Sequence, residues 1–158
     1  MDKIPKRKSI RLPGYDYRKQ GAYFITIDTK EHKELFWDAS DPVILSKYGE
    51  IAKDAIKRIP VRYPMISVDH YVIMPNHIHL LLQIHEMGNG RSMIAPTVSV
   101  VVQQMKGYVT KKCGFPAWQK SFYEHVIRGD ADYSEIWQYI ENNPQKWILQ
   151  KNAKNHTD

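Results

Sequence analysis

Alternation of apolar and polar positions marks the first regular element. Residues Ala22 to Thr29, AYFITIDT, follow Gly21 and alternate aromatic or β-branched side chains with smaller ones, which predicts a strand. Lys30 to Asp41 is polar and loop-like, with Leu35, Phe36 and Trp37 as an apolar anchor inside it. From Pro42 the period changes. Val43, Ile44, Leu45, Tyr48, Ile51, Ala52, Ala55, Ile56 and Ile59 recur at helical spacing, predicting a helix from Pro42 to Ile59 that Pro60 ends. Met65 to Met74 reads as a second strand, Pro75-Asn76 as a turn and His77 to Ile84 as a third strand. So short a connection makes the pair an antiparallel hairpin. Glu86 to Pro96 is a loop. Thr97 is placed to cap a helix running to about Cys113 and closed by Gly114, although its valines are poor helix formers. Ser121 to Arg128 alternates again and predicts a fourth strand. Asp132 is placed to cap a last helix to about Asn142, with Pro144 as its limit.

The order β-α-β-β-α-β predicts an α+β, ferredoxin-like antiparallel sheet with both helices on one face. The added C-terminal helix is then free to cover the other face. In this topology the third strand is central.

That strand carries His77 and His79 on either side of Ile78. Residues at i and i+2 of a strand project from the same face, about 7 Å apart along the backbone. Two imidazoles so placed can turn one nitrogen each to a divalent cation. A polar pair lining a solvated sheet face has the same pattern, and two ligands alone do not make a metal site.

Composition narrows the class without choosing a function. The chain has 158 residues, 42% hydrophobic and 25% charged, which suits one globular domain. No apolar run approaches a membrane span of about 20 residues, and the start has no apolar signal core. The lone Cys113 excludes an internal disulfide framework and a cysteine-rich zinc site, and fits a cytoplasmic setting. Charge is concentrated. Residues 1–20 hold seven Lys/Arg and two acids, a net +5 of the chain's +6. A basic arm interleaved with Tyr15 and Tyr17 can contact phosphates and stack on bases, or it can be a solubilising terminus. The organisation read from this is an arm over 1–20, one domain over 21–150 and a polar tail over 151–158.

The last helix brings Tyr139 and Asn143, four residues apart and so on one face. A phenol is a nucleophile once a cation favours the phenolate or polarises the phosphate under attack. An amide oxygen is a ligand for Mg²⁺ or Mn²⁺. If the helix covers the free sheet face, His77, His79 and Asn143 form a three-ligand site with Tyr139 beside it. Pro144 is expected to distort the helix at Asn143. Tyr133 and Tyr123 are rival phenols.

Five blocks now stand together: Ser9 to Leu12 with Tyr15 to Tyr17; Gly21 to Thr29; Val72 to His79; Trp118 to Arg128; and Tyr139 to Pro144. In this order they resemble the IS200-like single-tyrosine transposases of the HUH type, and more closely their REP-associated branch. The resemblance implies a ferredoxin-like sheet with an added helix carrying the nucleophile, here Tyr139. It implies a divalent metal, Mg²⁺ or Mn²⁺, on His77, His79 and Asn143. It further implies cleavage of single-stranded DNA at hairpin or palindromic sites, through a 5′-phosphotyrosine and a free 3′-OH. Arg11, Tyr17 and Arg18 are the expected hairpin contacts. Glu124 and His125 fall in a matching block and are expected either beside the site or in fold maintenance. The family setting is bacterial-type, cytoplasmic and nucleoid-associated, and homodimer or monomer stays open. Rival readings are a hairpin-binding protein without chemistry and a metal-dependent nuclease with water as nucleophile.

Overall fold

The computed structural model describes residues 21–85 and 97–156. The expected contacts Arg11, Tyr17 and Arg18 lie outside them. A four-stranded, fully antiparallel sheet organises the rest. Its strands are β1 (Gly21–Asp28), β4 (Ile66–Ile73), β5 (His77–Ile84) and β6 (Tyr123–Val126), in the spatial order β4-β5-β1-β6. Between β1 and β4 come a small hairpin, β2 (Trp37–Asp38) and β3 (Asp41–Leu45), and helix α1 (Lys47–Arg62). Helix α2 (Val98–Cys113) joins β5 to β6, and α3 (Asp130–His156) follows.

Strand alternation divides the side chains between two cores. Tyr23, Ile25 and Ile27 of β1 and Ile78, Leu80, Leu82 and Ile84 of β5 pack with the buried faces of α1 and α2. Phe24 and Leu81, of the opposite parity, pack with Ile136 and Ile140 of α3. The sheet is thus buried on both faces. The valine-rich α2 forms despite its propensity because Val98, Val101, Val102 and Val109 are buried. Thr97 caps it, accepting from the Val100 amide, and Gly114 closes it at φ 86°.

Both ends of α1 and of α3 differ from the sequence pattern; Asp132, expected to cap α3, lies inside its first turn. Val43, Ile44 and Leu45 belong to β3, and α1 begins after Ser46, whose side chain accepts from the Gly49 amide at 3.1 Å. Val43 and Ile44 are 49% and 54% exposed, so they were never part of the buried helical stripe. Pro60 sits inside the last turn of α1, which continues to Arg62. So near the end, the proline removes only its own bond to the Ile56 carbonyl. Likewise α3 runs through Pro144 to His156, well past Asn142. Contacts beyond the proline hold that extension: Trp147 packs on Trp37, and Lys151 pairs with Glu34 at 3.0 Å.

The β2–β3 segment approaches α1 so closely that a Cβ at Gly49 would collide with the Phe36 carbonyl oxygen. Gly49→Ala is therefore expected to destabilise the protein by about 1–3 kcal/mol. Urea unfolding measures this. Ala at Gly107, where a Cβ meets nothing within 4 Å, is the control expected to be neutral or stabilising.

Candidate functional site

The turn between β4 and β5 is pinned from outside. The amides of Leu35 and Phe36 both donate to the Pro75 carbonyl, and Thr29 donates through its amide to the Asn76 carbonyl at 3.0 Å. The polar 29–36 loop thereby fixes the entry of β5 and the placing of His77.

His77 and His79 emerge on the α3 side of the sheet. Across β1 their partners are Asp28 and Thr26. The imidazoles lie 4.7 Å apart between ring centres, inclined by 72°. Each has one nitrogen engaged. Asn76 Oδ1 accepts from His77 Nδ1 at 2.7 Å, and Thr26 Oγ1 lies 2.9 Å from His79 Nδ1. His79 is 4% exposed, and its Nε2 has no hydrogen-bond partner among the described residues. Burial of a nitrogen lone pair without a partner costs on the order of 1–3 kcal/mol. Phe24 stacks beneath His79 at 5.2 Å.

Burial also sets the protonation state. The His77 imidazolium is disfavoured first by desolvation and then by the nearby His32, which lowers its pKa to about 4. His79 is pushed well below the ordinary histidine value by desolvation and then by His77. Both rings are neutral at pH 7, the form that binds a cation. Neutral rings, Nδ1 atoms held by oxygen partners and an orphaned Nε2 together fit a divalent metal. Among the described residues no group of three or more His, Cys, Asp or Glu gathers, so further ligands have to be of another type.

Helix α3 crosses this face of the sheet. The Tyr139 ring lies 5.3 Å from His79 and 6.0 Å, edge-on, from Phe24. Eight residues later Trp147 lies 6.1 Å from His77. Asn143 stands one turn from each on the same face of a continuous helix. The structure therefore gathers His77, His79 and Tyr139 and places Asn143 on the helix face between the two aromatic contacts. Of the rival phenols, Tyr123 packs edge-on against the same Phe24 ring at 6.2 Å, and Tyr133 is engaged elsewhere. Tyr133 donates to Asp69 at 2.7 Å, and burial followed by that carboxylate pushes its pKa up to about 12. Tyr123 is raised by burial and then by Asp132.

Two expected neighbours lie away from the reacting groups. Glu124 is a partner of Ile25 across the sheet and so projects to the α1–α2 side, opposite the histidines. His125 is on the histidine side, but its Nε2 lies 2.9 Å from Asp132, whose carboxylate also accepts from the Arg128 amide. It anchors the start of α3. His85 is exposed and lies 2.8 Å from Ser67 Oγ. Sequence reasoning missed Phe24, Thr26, Asn76 as a ring partner, and Trp147. It also missed His70, which stacks on Trp137 at 4.3 Å and lies 2.8 Å from Glu141, holding the middle of α3.

No family model matches the chain. A Haemophilus influenzae protein described only as uncharacterized is 34% identical over 91% of this chain and 91% of its own. The REP-associated tyrosine transposase of Escherichia coli K12 is 26% identical, over 85% of this chain and 73% of its own. A solved structure of a REP-associated tyrosine transposase bound to a REP hairpin superposes with a TM-score of 0.64, at 24% identity, covering 87% of this chain and 74% of that one. The fold is thus one that tyrosine transposases use. In sequence the chain is similar to REP-associated tyrosine transposases, and it shares the fold of one.

Proposed function

We propose that this protein is a single-stranded DNA transposase of the HUH single-tyrosine type, which cleaves and rejoins DNA at hairpin-flanked sites. The observation that carries the reading is Tyr139 packed 5.3 Å from His79, whose buried Nε2 has no partner among the described residues. The central position of β5 in the antiparallel sheet supports it, since that strand carries both histidines. His77, His79 and the Asn143 side-chain oxygen would hold Mg²⁺ or Mn²⁺. When bound, the cation supplies charge stabilisation to the phosphate under attack.

The remaining chemistry belongs to the chain. The Tyr139 oxygen bonds to phosphorus and the bond from phosphorus to the 3′-oxygen breaks. The phenolic proton is lost and the leaving 3′-oxygen gains one. The product is a 5′-phosphotyrosine and a free 3′-OH, and the reverse reaction reseals the strand without an external energy source. Phe24, against both His79 and Tyr139, fixes the distance between nucleophile and ligands. His125 positions the start of α3 through Asp132. One chain holds both halves of the site, so cleavage needs no second subunit, and joining two ends at once would call for a homodimer. The described partner of the solved relative, a REP hairpin, supports hairpin DNA as the substrate here. Arg11, Tyr17 and Arg18 in the basic arm are the proposed hairpin contacts.

Incubation with labelled single-stranded hairpin DNA and Mg²⁺ or Mn²⁺, resolved on a denaturing protein gel, tests the proposal. The expected result is a metal-dependent labelled band at protein size that Tyr139→Phe removes entirely. Cleavage that persists in Tyr139→Phe would assign the attack to water. Hairpin binding without cleavage would make the protein a binder only.

A further inference from the structure

Beside the histidine pair lies a feature that the cleavage chemistry does not use. A cavity of about 260 Å³ opens between the β2–β3 hairpin and the later turns of α3. Trp37 and Pro42 form one wall, Pro75 lies between, and Trp147 and Ile148 form the other, with Lys151 also lining it. The two indoles are 6.4 Å apart between ring centres and tilted by 59°. Trp147 is also the residue that lies 6.1 Å from His77. One side chain thus borders both the cavity and the candidate metal site.

The walls are held firmly. The Trp37 indole N–H donates to the Ile73 carbonyl at 2.7 Å. In the hairpin that carries Pro42, Val43 has φ 74°. For a β-branched residue this backbone is an outlier, of the kind that clusters at ligand clamps. The lining is not suited to an anion. Glu34 and Asp38 both border the cavity, and hydrogen bonds from Ser40 hold the Asp38 carboxyl below its usual range. Flat aromatic walls with acids beside them suit an uncharged planar group. The cation sits on the same helix: Lys151 lies 5.7 Å from the centre of the Trp147 ring and 3.0 Å from Glu34. An exposed pair of this kind contributes little, so the ammonium can be given up to a phosphate.

We infer that this cavity receives the base of a nucleotide next to the phosphate under attack, stacked on Trp147 and Trp37, with Lys151 on an adjoining phosphate. The inference rests on the single-stranded DNA reading above. Only a single strand presents a base free to leave its own stack, and aromatic platforms that accept any base are how proteins hold such strands. The volume lies below the roughly 300–1,000 Å³ of drug-sized pockets and suits one base rather than a larger ligand.

The test uses the full chain carrying Tyr139→Phe, so that binding is read without cleavage. Single-stranded hairpin oligonucleotides are prepared with an abasic site, or a 2-aminopurine, moved one position at a time along the flank. Fluorescence anisotropy is expected to find one position where loss of the base weakens binding about 5- to 100-fold. 2-Aminopurine at that position is expected to be quenched on binding. Both signatures should vanish in Trp147→Leu and in Trp147→Ala and persist in Trp147→Phe. Leucine keeps the apolar bulk of the wall, so its loss of signal is not a folding defect. A flat abasic scan would overturn the inference, as would a sensitive position that stays equally sensitive in Trp147→Leu. Failure to bind any single strand would take down both this inference and the reading beneath it. Base-dependent binding with no covalent adduct from the unmodified protein would sink the cleavage reading alone and leave the stacking site standing.

Discussion

His79→Ala is expected to cut metal-dependent adduct formation by about 10²–10³-fold, the equivalent of several kcal/mol of charge stabilisation at the phosphate. Mn²⁺ binding, followed by calorimetry, should fall with it. The prediction is strong because His79 is the member of the pair with a buried nitrogen that has no partner among the described residues. Thr26→Val is a graded companion. It removes the hydroxyl 2.9 Å from His79 Nδ1 while keeping the shape of the side chain. Loss of such an orienting partner typically costs 10–100-fold in metal affinity. If His79→Ala left adduct yield and Mn²⁺ affinity unchanged, the histidines would be no more than sheet-face residues. The pair also makes a pH prediction for the metal-free protein. His77 has its pKa lowered to about 4 in the folded state, against about 6.5 for a free histidine. Between those values the unfolded chain binds more protons than the native one. Stability therefore falls as pH drops from about 6.5 towards 4. Urea titrations at pH 7 and pH 5 measure the loss, and His77→Ala should flatten the slope.

Phe24→Ala should be the most damaging single change to the fold near the site, at about 3–5 kcal/mol. Phe24 is 1% exposed and packs with Leu81, Ile136 and Ile140 under α3. Its ring meets His79, Tyr139 and Tyr123 at 5.2, 6.0 and 6.2 Å. Truncation leaves a cavity where the sheet, the proposed nucleophile and a proposed metal ligand converge. Phe24→Leu keeps most of the volume and should recover most of the stability. It loses the flat shelf beneath His79, so adduct formation should recover less than stability does. Equal recovery of both would show that Phe24 acts through packing alone.

What could be read from the sequence was whatever depends on short-range period. The alternation around Ile78 placed His77 and His79 on one face, and β5 has the bounds that the pattern predicts. The spacing of Tyr139 and Asn143 needed only the helical repeat. What depends on register between distant strands was hidden. Thr26 pairs with His79 across β1 and β5, a relation that no local pattern encodes. Glu124 faces the other core for the same reason, since its side follows from pairing with Ile25. Trp147 was lost by another route. Pro144 was taken as a limit, but packing of Trp147 on Trp37 outweighs the missing amide and carries the helix on. The β2–β3 hairpin went unseen because Val43, Ile44 and Leu45 extended a helical stripe by coincidence of spacing.

Helix α3 is fastened to the body of the protein by polar ties along its length: Asp132 to His125, Tyr133 to Asp69, Glu141 to His70 and Lys151 to Glu34. None of these residues takes part in the proposed bond changes, and the two exposed ties, at Glu141 and Lys151, are individually weak. With the packing of Ile136 and Ile140 on the sheet, the ties keep Tyr139 against His79. Loosening the first three together would draw the nucleophile away with every reacting group intact, so control over when the enzyme acts can be written far from where it acts.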